Sequence, residues 1–140
     1  MQKDKYGVLL VDDSADDRHF MRLALRGHPK LVVIGEVCDG EDAISYLNGS
    51  ENFTDRTAFP FPDVMLLDLK MPRRTGFEVL QWLQTQAFKD LIVIVVSGSI
   101  LPQDIEQSLA LGAAAYHGKA DFLDQRRPML LEIENLLAKL

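Results

Sequence analysis

A single cysteine, Cys38, stands in 140 residues, so no internal disulfide can form. A lone thiol fits a reducing cytoplasm better than a secreted, disulfide-held scaffold. Basic residues are also scarce: 15 Lys and Arg face 21 Asp and Glu, a net charge of −6. That balance argues against nucleic acid as a partner, because neutralising phosphates takes a surplus of Lys and Arg. Long hydrophobic runs are missing. The longest, such as Leu91 to Val96, fall far short of the ~18 residues of a membrane span, so no membrane insertion is expected. The opening Met1-Gln2-Lys3-Asp4-Lys5-Tyr6 is charged and lacks the apolar stretch of a secretory signal. Without a signal, Asn48-Gly49-Ser50 and Asn52-Phe53-Thr54 read as chance glycosylation triplets. The chain has no internal repeat, no low-complexity tract, no glycine-rich phosphate loop, no zinc-ligand spacing and no Gly-x-Ser-x-Gly elbow.

What is present is an ordinary globular mix, 47% apolar and 26% charged, of a length that suits one domain. One domain over 1–140 is expected, with 1–5 as a flexible tail. The chain starts with Met1 and shows no trailing linker, so a stand-alone protein is expected. Short apolar runs mark five strands: Tyr6 to Val11, Leu31 to Val37, Asp63 to Leu67, Leu91 to Val96 and Ala113 to His117. Helical patterns lie between them. Ser14 or Asp13 can cap the first helix, with Phe20, Met21, Leu23, Ala24 and Leu25 as its apolar stripe. Further helices are expected over Gly40 to Leu47 and Gly76 to Thr85, from Pro102 to Gly112, and over Asp124 to Leu140. Residues 48–62 form a polar, proline-containing connection, long for a compact domain. Alternating strands and helices predict a doubly wound α/β fold with a parallel sheet covered on both faces.

In such sheets, sites form beyond the carboxyl ends of the strands. Asp12 and Asp13 follow the first strand, Asp68 the third, Ser97 the fourth and Lys119 the fifth. Each has a plain structural reading: helix caps for the aspartates, a loop-opening serine, a solvated lysine. Their conjunction on one sheet edge points further. Three clustered carboxylates repel one another and call for a cation, and a hard ion such as Mg²⁺ suits oxygen ligands and phosphoryl groups. A carboxylate, Mg²⁺, a lysine and a hydroxyl form a coherent set for phosphoryl transfer onto an aspartate.

The opening Val8-Leu9-Leu10-Val11-Asp12-Asp13-Ser14 comes first in an ordered set. Leu66-Leu67-Asp68-Leu69-Lys70-Met71-Pro72, Thr75-Gly76, Val96-Ser97-Gly98 and Tyr116-His117-Gly118-Lys119 follow. Together these motifs resemble a two-component response-regulator receiver domain over the whole chain. The resemblance implies a flavodoxin-like sheet in the order 2-1-3-4-5 with five helices. It implies that Asp68 is the phosphoacceptor and that Asp12, Asp13, Asp68 and the Lys70 carbonyl hold Mg²⁺. Lys119 would pair with the phosphoryl oxygens, while Ser97 and Tyr116 would be the switch residues. The partners it implies are a sensor histidine kinase or histidine phosphotransfer protein and a downstream protein target. The changing face would be the fourth helix, fifth strand and last helix.

Three departures stand out. The family's lysine is usually followed by proline, often after a cis bond, but Ala120 is here. This predicts either a trans bond with a shifted loop or a strained cis bond. Lys70 places a cation two residues past the acceptor. The 48–62 stretch resembles the insertion of stand-alone regulators related to those paired with bacterial phytochromes. Leu130, Ile133, Leu137 and Leu140 form a stripe on the last helix, mostly core-facing, some of it with Leu136 a candidate homodimer contact. Phe77 and Trp82 read as packing. His19 falls in the first helix rather than on the helical bundle a phosphohistidine role would want, and His28 and His117 read as helix-end and strand-end residues. Two rivals are weighed. A Mg²⁺-dependent phosphohydrolase would want a second aspartate two residues after its nucleophile, where Asp68 is followed by Lys70. A constitutive adaptor never phosphorylated is the other.

Overall fold

A computed structural model describes residues 4–88, 90–124 and 126–139, with side chains described throughout except at 122–127. The strands are β1 Tyr6–Val11, β2 Leu31–Val37, β3 Val64–Leu67, β4 Ile92–Ser97 and β5 Ala115–Gly118. The helices are α1 Ala15–Leu25, α2 Gly40–Asn48, α3 Gly76–Leu83, α4 Pro102–Ala110, α5 Lys119–Asp124 and α6 Arg126–Ala138. All pairings are parallel, in the order β2-β1-β3-β4-β5. The sheet order matches the sequence expectation. The helix count does not: six α-helices are described, not five, and a 3-10 turn at Glu51–Phe53 adds to them.

The extra helix, α5, starts on Lys119 itself. A proline at 120 would push residue 119 out of the helical region, and Ala120 removes that restriction. The helix is too short for an apolar period to announce it. The described residues contain no cis peptide bond, so Lys119–Ala120 is trans.

Alternation within each strand splits the core into two layers. Val8, Leu10, Val64, Leu66, Ile94 and Val96 face one side with Met21 and Leu25 of α1 and Met129, Ile133 and Leu137 of α6. Leu9, Val11, Met65, Leu67, Val93 and Val95 face the other, with Ala43, Tyr46 and Leu47 of α2 and Val79 and Leu80 of α3. Every residue of β3 and β4 is buried, which is why these strands read as unbroken apolar runs. Each such aliphatic side chain contributes about 1.5–3 kcal/mol of burial. The buried stripe of α6 is thus Met129, Ile133 and Leu137. Leu130 and Leu136 pack half-buried against the core, and Leu140 lies outside the described residues, as do 1–3 of the expected tail. Phe77 and Trp82 pack half-buried against the second layer, as read from sequence.

The edge strand β2 is irregular. Val33 pairs with Val8 and Gly35 with Leu9, so Ile34 bulges out of register. Gly7 makes room for it, since a Cβ there would sit 2.9 Å from Ile34 Cδ1.

The long 48–62 connection is tied down rather than loose. Gly49 ends α2 at φ 66°, a left-handed conformation that suits glycine. Arg56 then folds back and donates to the Tyr46 and Leu47 carbonyls at 2.8 Å each and to Phe59 O at 3.2 Å. Its guanidinium also lies 5.6 Å from the Phe61 ring centre. Phe53 and Phe59 pack on Tyr46, and the Tyr46 hydroxyl donates to Pro60 O at 2.9 Å. Arg56 therefore closes the carbonyl end of α2. Arg56→Ala is expected to lower the unfolding free energy by about 1–2 kcal/mol, and Arg56→Lys to recover only part of it. Urea unfolding midpoints measure both; an unmoved midpoint for the alanine variant would mean the aromatic contacts hold this segment alone.

Candidate functional site

The switch point of the strand order lies between β1 and β3, the place where open α/β sheets build sites. Val11 pairs with Leu67, so the next residues, Asp12 and Asp68, emerge side by side. The Asp68 N–H donates to Val11 O at 2.9 Å and fixes this register. Both aspartates are buried, Asp12 at 0% and Asp68 at 4% exposure, while Asp13 is exposed. Each of the three offers a carboxylate oxygen, and these oxygens lie within 4.8 Å of one another. Of the two proposed helix caps, Ser14 is the one used: its hydroxyl accepts from Asp17 N–H at 3.2 Å.

Lys119 leaves the end of β5 and spans the acids. Its Nζ is 2.9 Å from Asp12 Oδ2, 2.7 Å from Asp17 Oδ2 and 3.4 Å from Asp68 Oδ2. The shift feared from Ala120 has not taken the ammonium away from Asp68. Asp17 is not singled out by sequence reasoning, because it lies inside α1, beyond the strand end where the site was expected. Its position one helical turn past Asp13 is the signal that could have found it.

Electrostatics follow from burial. The Asp68 carboxyl is pushed up to about 6, by burial first and by the Asp12 charge second, against the pull of Lys119. Burial also raises Asp12, although the Ser14 N–H and Lys119 partly offset it. Burial alone would lower Lys119, but the carboxylates of Asp17, Asp12 and Asp68 around its ammonium carry it well above the usual lysine range. One oxygen is poorly served. Asp12 Oδ2 is fully buried and lies close to Lys119 Nζ, yet no donor meets it with hydrogen-bond geometry. A buried carboxylate oxygen with spare lone pairs, beside two more carboxylates, fits a hard divalent cation.

A cavity of about 450 Å³ opens over these groups, lined by Asp13, Asp68, Lys70, Ser97, Lys119 and the loop after β4. Ser97 is buried at the last position of β4, and its hydroxyl accepts from Ser99 N–H at 3.2 Å. Tyr116 is half-buried against the second core layer and donates its hydroxyl to Ser99 O at 2.6 Å. Lys70 is exposed on the cavity rim. The loop from β3 to α3 is held tightly below. A Cβ on Gly76 would overlap the Asp68 carbonyl oxygen, and one on Gly40 would overlap that of Arg74. Arg73, at φ 68°, pairs with Asp39 at 3.1 Å, and Arg74 pairs with Glu41. The three histidines sit elsewhere. His19 neighbours Arg22, His28 pairs with Glu134 and His117 with Glu132.

Fold, sheet edge and acid–lysine cluster define one class. The chain belongs to the response regulator receiver domain family of two-component signalling, whose model matches residues 8–122. The nearer likenesses follow from the solved structures. The phosphorylated cyanobacterial phytochrome response regulator RcpA superposes with a TM-score of 0.78 at 30% identity, covering 96% of this chain and 94% of that one. The bacteriophytochrome response regulator RtBRR gives 0.74 at 30% identity, over 94% and 78% of the two chains. Among curated relatives is a protein-glutamate methylesterase/protein-glutamine glutaminase of Anaeromyxobacter dehalogenans. It is 37% identical over 106 residues, which are 76% of this chain but 27% of that protein. A namesake in Halalkalibacterium halodurans is 33% identical over 92% of this chain and 33% of its own length. The chain thus spans about a third or less of these relatives. Among the described residues no helix is long and apolar enough to cross a membrane.

Proposed function

We propose that this chain is a cytoplasmic phosphoacceptor domain of a two-component relay, with Asp68 as the acceptor. The observation that carries the reading is the Lys119 ammonium set among Asp12, Asp17 and Asp68 at the switch point of the sheet. An Asp68 carboxylate oxygen attacks phosphorus, the P–O bond forms, and the P–N bond to a donor histidine breaks. The electron pair leaves with the imidazole nitrogen, which takes its proton from solvent. Lys119 stays charged throughout and faces the added negative charge, and the Ser97 hydroxyl lies within the same cavity to donate to it. Asp12, Asp13, Asp68 and the Lys70 carbonyl would hold Mg²⁺, which supplies positive charge against the carboxylates and phosphoryl oxygens when bound.

A phosphoryl group here would draw on Ser97 and, through Ser99, on Tyr116. The neighbouring α4 buries only Ser108, so its face can shift at little packing cost. That supports a population shift across α4, β5 and the last helices, read by a downstream protein or by a second copy of the chain. The chain would otherwise catalyse only its own phosphorylation and dephosphorylation. Likeness to phytochrome regulators makes a light-sensing histidine kinase the first partner to test.

Acetyl phosphate with Mg²⁺ is expected to add one phosphoryl group by intact mass, and none to Asp68→Asn. Addition to both proteins alike would move the acceptor elsewhere. No addition to the native chain with Mg²⁺ bound would favour the adaptor reading.

A further inference from the structure

Ile100 is the most exposed large hydrophobic side chain among the described residues, at 73%, and Leu101 beside it is 50% exposed. Scattered exposed aliphatic residues are ordinary. These two are placed differently, because both line the polar cavity that holds Asp68, Lys70, Ser97 and Lys119. Ile100 leans across the mouth toward the end of β5, its Cγ2 3.3 Å from where a Cβ on Gly118 would be. Gly118 directly precedes Lys119, which lines the same cavity.

The loop that carries Ile100 is pinned on both sides of it, at Ser99 and Leu101. Ser99 N–H donates to Ser97 Oγ at 3.2 Å, and the Tyr116 hydroxyl donates to Ser99 O at 2.6 Å. Ser99 Oγ donates to Asp104 Oδ2 at 2.5 Å and accepts from Leu101 N–H at 3.3 Å. The isoleucine is therefore held out in water by a preformed loop rather than left there by slack. The cavity therefore joins two chemistries, Lys119 and acids on one side and an aliphatic wall of Ile100 and Leu101 on the other. The volume, about 450 Å³, is that of a small-molecule pocket and exceeds what a phosphoryl group alone would fill.

We infer that Ile100, with Leu101, is a specificity ledge for the leaving group: it packs against the flat imidazole ring of the phosphohistidine donor while the phosphoryl group lies over Asp68. This rests on the phosphoacceptor reading above and names the donor chemistry that reading would prefer. A ring donor gains contact with the ledge in the approach to transfer; a ringless donor with the same P–N bond does not.

The test compares N-phosphoimidazole with phosphoramidate as donors, with Mg²⁺, following phosphoryl gain by intact mass over time. The native chain is expected to prefer the ring donor. Ile100→Ser is expected to lower the ratio of the two second-order rate constants by roughly five- to tenfold, and Ile100→Leu to restore most of it. Ile100 is exposed, so neither change threatens folding. A ratio that stays fixed in Ile100→Ser, whether both rates fall or neither does, overturns the ledge and leaves the acceptor reading standing. No gain from either donor on the native chain overturns both.

Discussion

Lys119→Met is expected to slow phosphorylation of Asp68 by about 10²–10³-fold and, without divalent cations at neutral pH, to cost about 3–5 kcal/mol of stability. Methionine keeps the stem and most of the volume but removes the charge. What remains is Asp12 and Asp68, both buried, with Asp17 close by and no ammonium among them. The loss comes from uncompensated carboxylates rather than from a missing contact. Two accompanying effects identify the cause. Mg²⁺ is expected to recover much of the lost melting temperature, because a cation in the acid cluster takes over part of the lysine's role. Acid is expected to narrow the gap between variant and native protein, because protonated aspartates no longer repel. A variant that melts like the native chain at pH 7 without divalent ions would show that Lys119 does not balance this cluster.

Asp68→Asn is expected to do the opposite: to stabilise the protein in the absence of divalent ions. The carboxyl is raised from 3.8 to about 6 by burial first and Asp12 second, so the folded state holds its proton more tightly than the unfolded chain. The stability this proton confers is complete below about pH 4 and is lost as the pH rises through about 6. At pH 7.5 the native chain folds around an ionised, buried carboxylate, and the amide does not. The gain is expected to be roughly 1–3 kcal/mol at pH 7.5 and to shrink toward pH 4. Mg²⁺ is expected to reverse the order, since it stabilises the native acid cluster more than one that has lost a carboxylate. Thermal melts over pH 4–8, with and without Mg²⁺, check this. A destabilised variant at pH 7.5 in chelator would mean that Lys119 outweighs burial at Asp68.

The strands were the most legible part of the sequence, for a physical reason. Strands covered on both faces must be apolar throughout, and Leu9 to Val11, Val64 to Leu67 and Ile92 to Val96 are. Because the strands are legible, so is the sheet edge to which each one leads, and with it the placing of Asp13, Asp68, Ser97 and Lys119 around one cavity with Asp12 buried beside them. Features that depend on side chains meeting across the chain were not. Asp17 reads as a helix-start acid, and only the fold shows that it holds Lys119 from 102 residues away. Arg56 reads as a loop charge, yet it closes the helix before it. The stripe on α6 was read one residue late at its start, because Met129 is buried where Leu130 was expected to lead. Short α5 carries no period at all, and its presence follows from what residue 120 is not.

The bulge at Ile34 has a consequence for the sheet's outer boundary. A parallel sheet ends in two strands with unpaired backbone groups, and a regular, long edge invites a strand from another molecule to continue the ladder. Here β2 steps out of register at Ile34, so an incoming strand that matched one half of β2 would be misaligned on the other. The opposite boundary, β5, offers only Ala115–Gly118. Polymer growth through either side is discouraged by geometry alone. A molecule whose two faces are covered by helices can therefore be concentrated for signalling and can meet its partners through side chains, while its backbone stays closed to them.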